Sequence, residues 1–289
     1  MASASKRRAA TAPSPRAPIV TLTTDFGSRD PFVGIMKGVI LGIAPAARIV
    51  DLTHGVPPQA VLAGAHALAS AAPYFPRGTI HVVVVDPGVG TRRRALVVET
   101  RDAWLVGPDN GCLSLAAPAR AVRRIVDVSR TRRRLTPTSA TFHGRDVFAP
   151  VAAALAAGVD AATLGPRIAS MKRLGLPRSH RRAGALLGEV LWADGFGNLV
   201  TNVGHDTLAA AGFRGPEVSV TIGAHVLPIR ASYADVPAGE LVALVNSTSL
   251  LEIAVSGGSA AARLGASAGT PVRVSAAGPS TFPLRAGRA

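Results

Sequence analysis

The chain has 289 residues, 48% of them hydrophobic and 17% charged, which excludes an intrinsically disordered protein and allows one large domain or two ordinary ones. Its 32 Lys and Arg against 17 Asp and Glu give a net charge of +15, which makes nucleic acid a partner to consider. The positive residues concentrate in stretches between apolar segments and only 4% of residues are aromatic, so we do not expect a nucleic-acid-binding surface.

The N-terminal segment, residues 1–18, is basic and rich in Ala, Ser and Pro, and we expect a disordered leader there. It lacks the continuous apolar stretch of a secretory signal. No run in the chain approaches the roughly 18 apolar residues that a membrane span needs. Cys112 is the only cysteine, so no intrachain disulfide can form and no oxidising compartment is required. These features predict a cytoplasmic protein with no membrane partner.

Strands and helices alternate in residues 19–165. Residues 79–85 form a continuous apolar run, which is typical of a strand covered on both faces. Asp30 is predicted to cap the first helix, with Pro31 at its first helical position. The predicted strands are 19–24, 49–52, 79–85 and the hairpin pair 96–99 and 104–106; the predicted helices are 31–43, 59–72 and 147–157. The alternation predicts an α/β domain with a largely parallel sheet.

The second half of the chain has a different character. Residues 166–187 are rich in Pro, Arg and Lys and are predicted to be a linker. One short helix, 206–211, is expected after it. The predicted β runs are 188–192, 199–203, 217–222, 226–229, 241–245, 251–255 and 272–274. They predict a small all-β, barrel-like domain over 188–280, with a sandwich as the alternative, followed by a tail at 281–289.

Polar residues follow several strands of the predicted α/β domain. Asp25, Asp51, Asp86 and Asp109 each come after a strand, and ligands of α/β proteins bind at the carboxyl ends of strands. We therefore expect a ligand site at that edge. The glycines of residues 88–90 are typical of a tight turn, because the segment lacks the spacing and the Gly-Lys-Ser/Thr ending of phosphate-binding loops.

A metal site is not expected, although six candidate ligands lie in the first domain. Their spacings match no standard ligand set, and Arg93 and Arg145 would repel a nearby cation. The six are Asp25, Asp51, His54, Asp86, His143 and Asp146. Covalent acyl chemistry is not expected either, because the chain has no G-x-S-x-G motif.

Three other features are more informative. Asp86, Arg93 and His143 are expected within reach of one site, where they offer a charged acceptor, a fixed cation and a group that titrates near neutral pH. In the second domain, residues 194–202 and 246–247 are polar segments next to strands. Their simplest interpretation is turns, but Asn side chains also suit a purine edge, and carboxylates suit ribose hydroxyls or an ammonium group.

Several segments together resemble the S-adenosylmethionine hydrolase family, the adenosine-forming hydroxide adenosyltransferases related to fluorinase and chlorinase. The matching segments are 23–27 (TTDFG), 85–91 (VDPGVGT), 107–111 (GPDNG), 141–146 (TFHGRD), 194–202 (DGFGNLVTN), and 246–247 (NS) with 251–254 (LEIA). The resemblance covers about residues 19–276, in order. It implies hydrolysis of S-adenosylmethionine to adenosine and L-methionine, with no cofactor and no metal.

The resemblance also implies site residues. Asp86, Arg93 and His143 would be catalytic: Arg93 would orient the attacking water, and the other two would position it and accept or relay its proton. The implied substrate contacts are Asp25 to the ribose diol, Asn198 to the adenine edge, Asp194 and Ser247 to the methionine end, and Phe142 and Tyr233 around the adenine. Family members are trimers whose sites lie between the first domain of one subunit and the second domain of the next, so a homotrimer is implied.

Two features favour water over halide as the nucleophile. Asp86 stands where the halogenating relatives have a tyrosine, and the long insertion of fluorinase before the segment equivalent to 108–111 is absent. A halide-using adenosyl transferase, a nucleic-acid-binding protein and a nucleoside-binding regulator without catalysis stay open as alternatives.

Overall fold

The computed structural model describes residues 17–215 and 217–276. The chain divides into two compact units between Leu174 and Gly175. Most of the predicted leader and all of the predicted tail lie outside the described residues. Among the described residues, no helix is long and apolar enough to cross a membrane.

The first unit contains a six-stranded mixed sheet. Its strands are β1 (Ile19–Thr24), β2 (Arg48–Thr53), β3 (Thr79–Val84), β4 (Ala95–Thr100), β5 (Ala103–Pro108) and β6 (Val122–Asp127). They lie in the order β2-β1-β3-β5-β4-β6. The pairs β1–β2, β1–β3 and β3–β5 are parallel, whereas β4 is antiparallel to both of its neighbours. Only β4 therefore runs against the others, which confirms the largely parallel sheet and the hairpin.

Helices cover both faces of this sheet. They are α1 (Phe32–Ile43), α2 (Val61–Ala71) and α3 (Ala149–Ala156), the last preceded by a π-helical turn, Gly144–Phe148. Short 3₁₀ turns lie at Ala72–Tyr74, Ala119–Ala121 and Ala161–Thr163. The predicted Asp30 cap is wrong. Pro31 is the N-cap, because its carbonyl accepts the first helical hydrogen bond, from the Ile35 N–H at 2.9 Å.

Strand β3 explains why an uninterrupted apolar run was present in the sequence. All its residues are buried, and successive side chains point to opposite faces. Val82 and Val84 pack in the layer that includes Phe148, whereas Val83 packs in the layer that includes Leu68 of α2. Each buried valine stabilises the fold by about 1.5–3 kcal/mol relative to an exposed one, so both helical layers are held against β3.

The second unit is a closed β-barrel with one appended strand. Its strands are β7 (His180–Arg182), β8 (Ala185–Ala193), β9 (Leu199–Gly204), β10 (Val218–Ile222), β11 (His225–Arg230), β12 (Leu241–Val245), β13 (Leu250–Val255) and β14 (Pro271–Ala276). They lie in the order β14-β10-β11-β12-β13-β9-β8-β7, and an additional pairing of β14 with β8 closes seven of them into a ring. The barrel prediction is confirmed over the sandwich. Strand β7 lies within the segment predicted to be a linker.

Short helical segments join the barrel strands: α4 (His205–Ala210), α5 (Ala260–Leu264) and the 3₁₀ turn Tyr233–Asp235. Side chains from opposite strands fill the barrel, including the fully buried Leu199, Val220, Leu251 and Val274. Val242 and Leu244 of β12 and Ala254 of β13 are also buried, in a separate cluster, so these two strands are apolar on both faces.

Candidate active site

The carboxyl ends of β1 and β3 bring two of the sequence-predicted polar segments together. Asp25 follows β1 and Asp86 lies two residues beyond β3. Both line a cavity of about 380 Å³. The other residues that line it are Phe26, Phe32, Pro58, Gln59, Val84, Pro87, Val89, Thr141, Phe142, His143 and Gly144. The volume lies within the usual range for small-molecule sites.

Two further predicted polar residues at this edge lie outside that cavity lining. Asp51 accepts a hydrogen bond from Lys37 Nζ at 2.6 Å and lies 3.0 Å from His54 Nε2. Asp109 is buried and accepts from Arg94 Nε at 2.8 Å and from the Lys172 N–H at 2.6 Å. Both carboxylates therefore fix local structure. Among the described residues, no cluster of His, Cys, Asp and Glu has the arrangement of a metal site.

A close backbone approach joins the loop after β3 to the loop that carries His143. Gly90 has a φ of 76°, and a Cβ added there would lie 2.4 Å from the carbonyl oxygen of Ala140. Only glycine permits both that backbone angle and that contact. The tight turn predicted at residues 88–90 therefore lets the segments that carry Asp86 and His143 meet.

Asp86, Arg93 and His143 form one hydrogen-bonded network. Arg93 Nε donates to both oxygens of Asp86, at 2.9 and 3.0 Å, and Arg93 Nη2 also donates to Asp86 Oδ2. The same Nη2 lies 2.8 Å from His143 Nδ1. The side chains of Arg93 and Asp86 are only 7% and 5% exposed, so this ion pair is largely shielded from water. The structure thus brings the three predicted residues into direct contact.

The network assigns the tautomer of His143. A guanidinium can only donate, so Nδ1 accepts from Arg93 and the proton of the neutral ring lies on Nε2. Burial lowers the pKa of His143, and the positive charge of Arg93 lowers it further. The imidazole is therefore neutral near pH 7, with Nε2–H as its donor. Arg93 is absent from the lining of the cavity, whereas Asp86 and His143 are both part of it.

A second contact at the cavity was missed by sequence reasoning. Asp25 Oδ2 accepts a hydrogen bond from the backbone N–H of Gln59 at 2.8 Å. Gln59 has a φ of 64°, in the left-handed region that non-glycine residues seldom occupy and that is enriched at functional sites. Nothing in the sequence signals a glutamine in this conformation. The contact leaves Asp25 Oδ1 as the oxygen available to a ligand.

Aromatic rings form one wall of the cavity. Phe142 packs edge-to-face against Phe26 and Phe32, with ring centroids 5.9 and 5.2 Å apart. Gly144 lies beneath these rings, since a Cβ there would be 3.2 Å from Phe142 and 3.3 Å from Phe26. Of the three rings only Phe142 was predicted as a site residue.

Asp146 anchors the loop that carries Phe142 and His143. The residue is fully buried and accepts from Arg145 Nε at 2.6 Å and from the Ser139 N–H at 2.7 Å. Burial alone would raise the pKa of Asp146, but these hydrogen bonds and the Arg145 charge outweigh it and lower the pKa. Asp146 is therefore ionised and structural.

The second unit holds the remaining predicted residues. Asp194 Oδ1 accepts from the backbone N–H groups of Phe196 and Asn198, and its Oδ2 accepts from Asn198 Nδ2 at 3.1 Å. Asn198 is only 6% exposed, so Asp194 fixes the orientation of its amide. Tyr233 is about half exposed and donates its hydroxyl to Glu252. Ser247 is exposed in the turn after β12.

Comparisons with known proteins cover both units. The SAM hydroxide adenosyltransferase N-terminal domain matches residues 20–165, and the SAM hydroxide adenosyltransferase C-terminal domain matches residues 188–273. A protein of Salinispora tropica named (R)-S-adenosyl-L-methionine hydrolase is 42% identical over 264 residues, covering 90% of this chain and 98% of its own. A protein of the same name from Thermus thermophilus is also 42% identical, over 88% and 98% of the two chains.

More distant sequences and solved structures agree. A fluorinase of Actinopolyspora mzabensis is 27% identical, over 89% of this chain and 97% of its own. The crystal structure of an uncharacterized conserved protein from Thermotoga maritima has a TM-score of 0.82 and 36% identity, over 89% of this chain and 99% of that chain. These matches confirm the resemblance found in the sequence: the chain belongs to the SAM hydroxide adenosyltransferase family.

Proposed function

We propose that the protein hydrolyses S-adenosyl-L-methionine to adenosine and L-methionine. The observation that carries this proposal is the hydrogen-bonded network of Asp86, Arg93 and His143 beside the cavity. Three relatives that are 42% identical are named (R)-S-adenosyl-L-methionine hydrolase, and they support the same substrate.

The chemistry needs little beyond a well-placed water molecule. The oxygen of water attacks the ribose 5′ carbon, and the carbon–sulfur bond breaks with its electron pair going to sulfur. The leaving group departs as a neutral thioether, so neither a general acid nor a Lewis acid is required. A water held in line with the carbon–sulfur bond supplies the main part of the rate enhancement. We accordingly propose that the enzyme uses no metal and no cofactor.

The geometry suggests a division of roles within the trio. Asp86 and His143 line the cavity, so we propose that Asp86 accepts a hydrogen bond from the water and that the Nε2–H of His143 donates one to it. Arg93, which does not line the cavity, hydrogen-bonds to both side chains and orients them. As the new carbon–oxygen bond forms, the oxygen becomes strongly acidic and passes its proton to Asp86.

The substrate contacts implied by the family fit the same picture. Asp25, with Oδ1 unengaged by Gln59, is proposed to bind the ribose hydroxyls, and Phe142 to pack on the adenine. In the second unit we propose that Asn198 reads the adenine edge, that Tyr233 packs on the adenine, and that Asp194 and Ser247 bind the methionine end.

We propose a homotrimer, as in the family. An exposed face of α1 supports self-association, because Ile35 and Leu41 lie there with three glycines. A Cβ added at any of these glycines, Gly34, Gly38 and Gly42, would meet nothing within 4 Å, so a partner can approach the helix backbone closely. Sedimentation equilibrium should give three times the chain mass; a monomer at micromolar concentration would contradict the proposal. We also propose a cytoplasmic location, which cell fractionation would test.

A product assay tests the function. Purified protein incubated with S-adenosyl-L-methionine should release adenosine and methionine in equal amounts, and EDTA should leave the rate unchanged. If the product formed in the presence of chloride were a halogenated nucleoside and not adenosine, the halide-using alternative would be favoured. A rate abolished by EDTA and restored by a divalent metal would overturn the metal-free chemistry.

A further inference from the structure

One buried carboxylate in the second unit has no part in the proposed chemistry. Glu252 lies on β13, opposite Leu244 of β12 and Val200 of β9, and is only 3% exposed. No ion pair among the described residues includes it. A buried carboxylate is costly unless hydrogen bonds satisfy its oxygens, so its partners are informative.

Two side chains donate to Glu252, one to each oxygen. The Tyr233 hydroxyl donates to Oε1 at 2.7 Å, and Asn246 Nδ2 donates to Oε2 at 2.9 Å. The other end of the Asn246 amide is also engaged. Its Oδ1 accepts from the Thr248 N–H, the Thr248 hydroxyl and the Leu250 N–H, at 2.9, 2.8 and 3.2 Å. The amide therefore has one possible orientation, with its NH₂ group toward the carboxylate.

Glu252 thus connects an aromatic ring to a polar turn. The ring of Tyr233 is 44% exposed. The turn contains the exposed Ser247 and also Ser249, whose φ of 62° places it in the left-handed region. Burial, the hydrogen bond to Glu252 and the charges of Glu252 and Asp194 raise the pKa of Tyr233 to about 12. The hydroxyl therefore stays protonated and donates.

We infer that Glu252 is a positioning residue, whose carboxylate holds the Tyr233 ring and the Asn246 turn in the arrangement that binds the adenosyl substrate. This inference rests on the proposed function. Glu252 itself is not proposed to contact the substrate, because it is only 3% exposed and its oxygens face Tyr233 and Asn246. Its loss should therefore weaken binding of the nucleoside and leave the chemical step of the bound substrate unchanged.

Three variants test the inference. Glu252→Ala removes both acceptors, Tyr233→Phe removes only the donated hydroxyl, and Glu252→Gln keeps the size and can still accept from Asn246 while donating to the Tyr233 oxygen. A hydrogen bond to a charged group contributes about 1.5–3 kcal/mol, and 1.4 kcal/mol corresponds to a tenfold change. We expect roughly tenfold weaker adenosine binding in Glu252→Ala, a smaller loss in the other two, and kcat within about threefold of wild type.

Adenosine affinity is measured by calorimetry, and kcat and KM with S-adenosyl-L-methionine. Glu240→Gln is the matched control, because Glu240 is an exposed glutamate of the same unit and lies outside the network. Should Glu252→Ala fail to fold, the other two variants decide the matter. Unchanged adenosine affinity in both, or a lost kcat with affinity retained, would overturn the inference. Failure of wild type to bind adenosine or to turn over would instead reject the proposed function.

Discussion

An Arg93→Lys enzyme should lose at least about a hundredfold in kcat, with much less change in adenosine affinity. Arg93 uses Nε and Nη2 to hold both oxygens of Asp86 and also Nδ1 of His143. A lysine carries a single nitrogen and cannot span the two partners in a fixed plane. The positive charge opposite Asp86 is kept, so the loss reports geometry rather than an unpaired buried carboxylate. Steady-state kinetics with S-adenosyl-L-methionine measures it.

The neighbouring arginines supply the controls. Arg92 is exposed, so Arg92→Lys should retain activity within about twofold of wild type, as expected for a surface substitution. Arg94 pairs instead with Asp109 and donates to the Ser170 carbonyl at 3.1 Å. An active Arg93→Lys enzyme combined with an inactive Arg92→Lys enzyme would show that the wrong member of the arginine run has been assigned to the site.

Replacing His143 by alanine should lower kcat by about 10²- to 10⁴-fold and leave adenosine affinity within a few-fold of wild type. The variant loses the Nε2–H donor proposed to hold the water. Glutamine offers a donor and an acceptor on one side chain, so His143→Gln should recover part of the rate. A large loss of affinity with kcat retained would assign His143 to binding and not to catalysis.

The pH profile of the wild type checks the same assignment. The proposed role of His143 needs its neutral form, and burial beside Arg93 lowers its pKa below the ordinary value of about 6.5. The neutral form is therefore kept as the pH falls through 6.5, and activity should decline only at lower pH. A kcat that halves at or above pH 6.5, with the decline absent in His143→Gln, would contradict a lowered pKa for His143.

Local patterns were sufficient to predict the layers of the fold. Residues 79–85 predict a strand covered on both faces, and Val82 and Val83 indeed pack into opposite layers. Closure of the barrel depends on β14 pairing with β8, more than seventy residues earlier, and no local pattern reports such a contact. The predicted start of α1 was one residue too early, at Pro31 and not at Phe32. An Asp-Pro pair is compatible with either residue as the N-cap.

The candidate site was likewise predicted where local motifs mark it and missed where its residues depend on tertiary contacts. Asp86 and His143 lie in recognisable motifs and Arg93 lies two residues after one of them, and the structure places the three in contact. Gln59 was not predicted, because it donates its backbone N–H to Asp25 from a left-handed conformation. The identity of its side chain gives no sign of that conformation. Glu252 lies in a matched segment, but it was assigned no role, because the burial of an acidic residue on a strand becomes evident only when the barrel is closed.

The origin of the oxygen atom in adenosine shows whether water is the nucleophile. Wild type and Asp86→Ala are incubated with S-adenosyl-L-methionine in ¹⁸O-labelled water containing chloride, and the products are separated and weighed by mass spectrometry. We expect one ¹⁸O atom at the 5′ position of adenosine, unlabelled methionine, no chlorinated nucleoside, and little or no adenosine from the variant. Unlabelled adenosine, a chlorinated nucleoside, or equal turnover by Asp86→Ala would contradict attack of water positioned by Asp86.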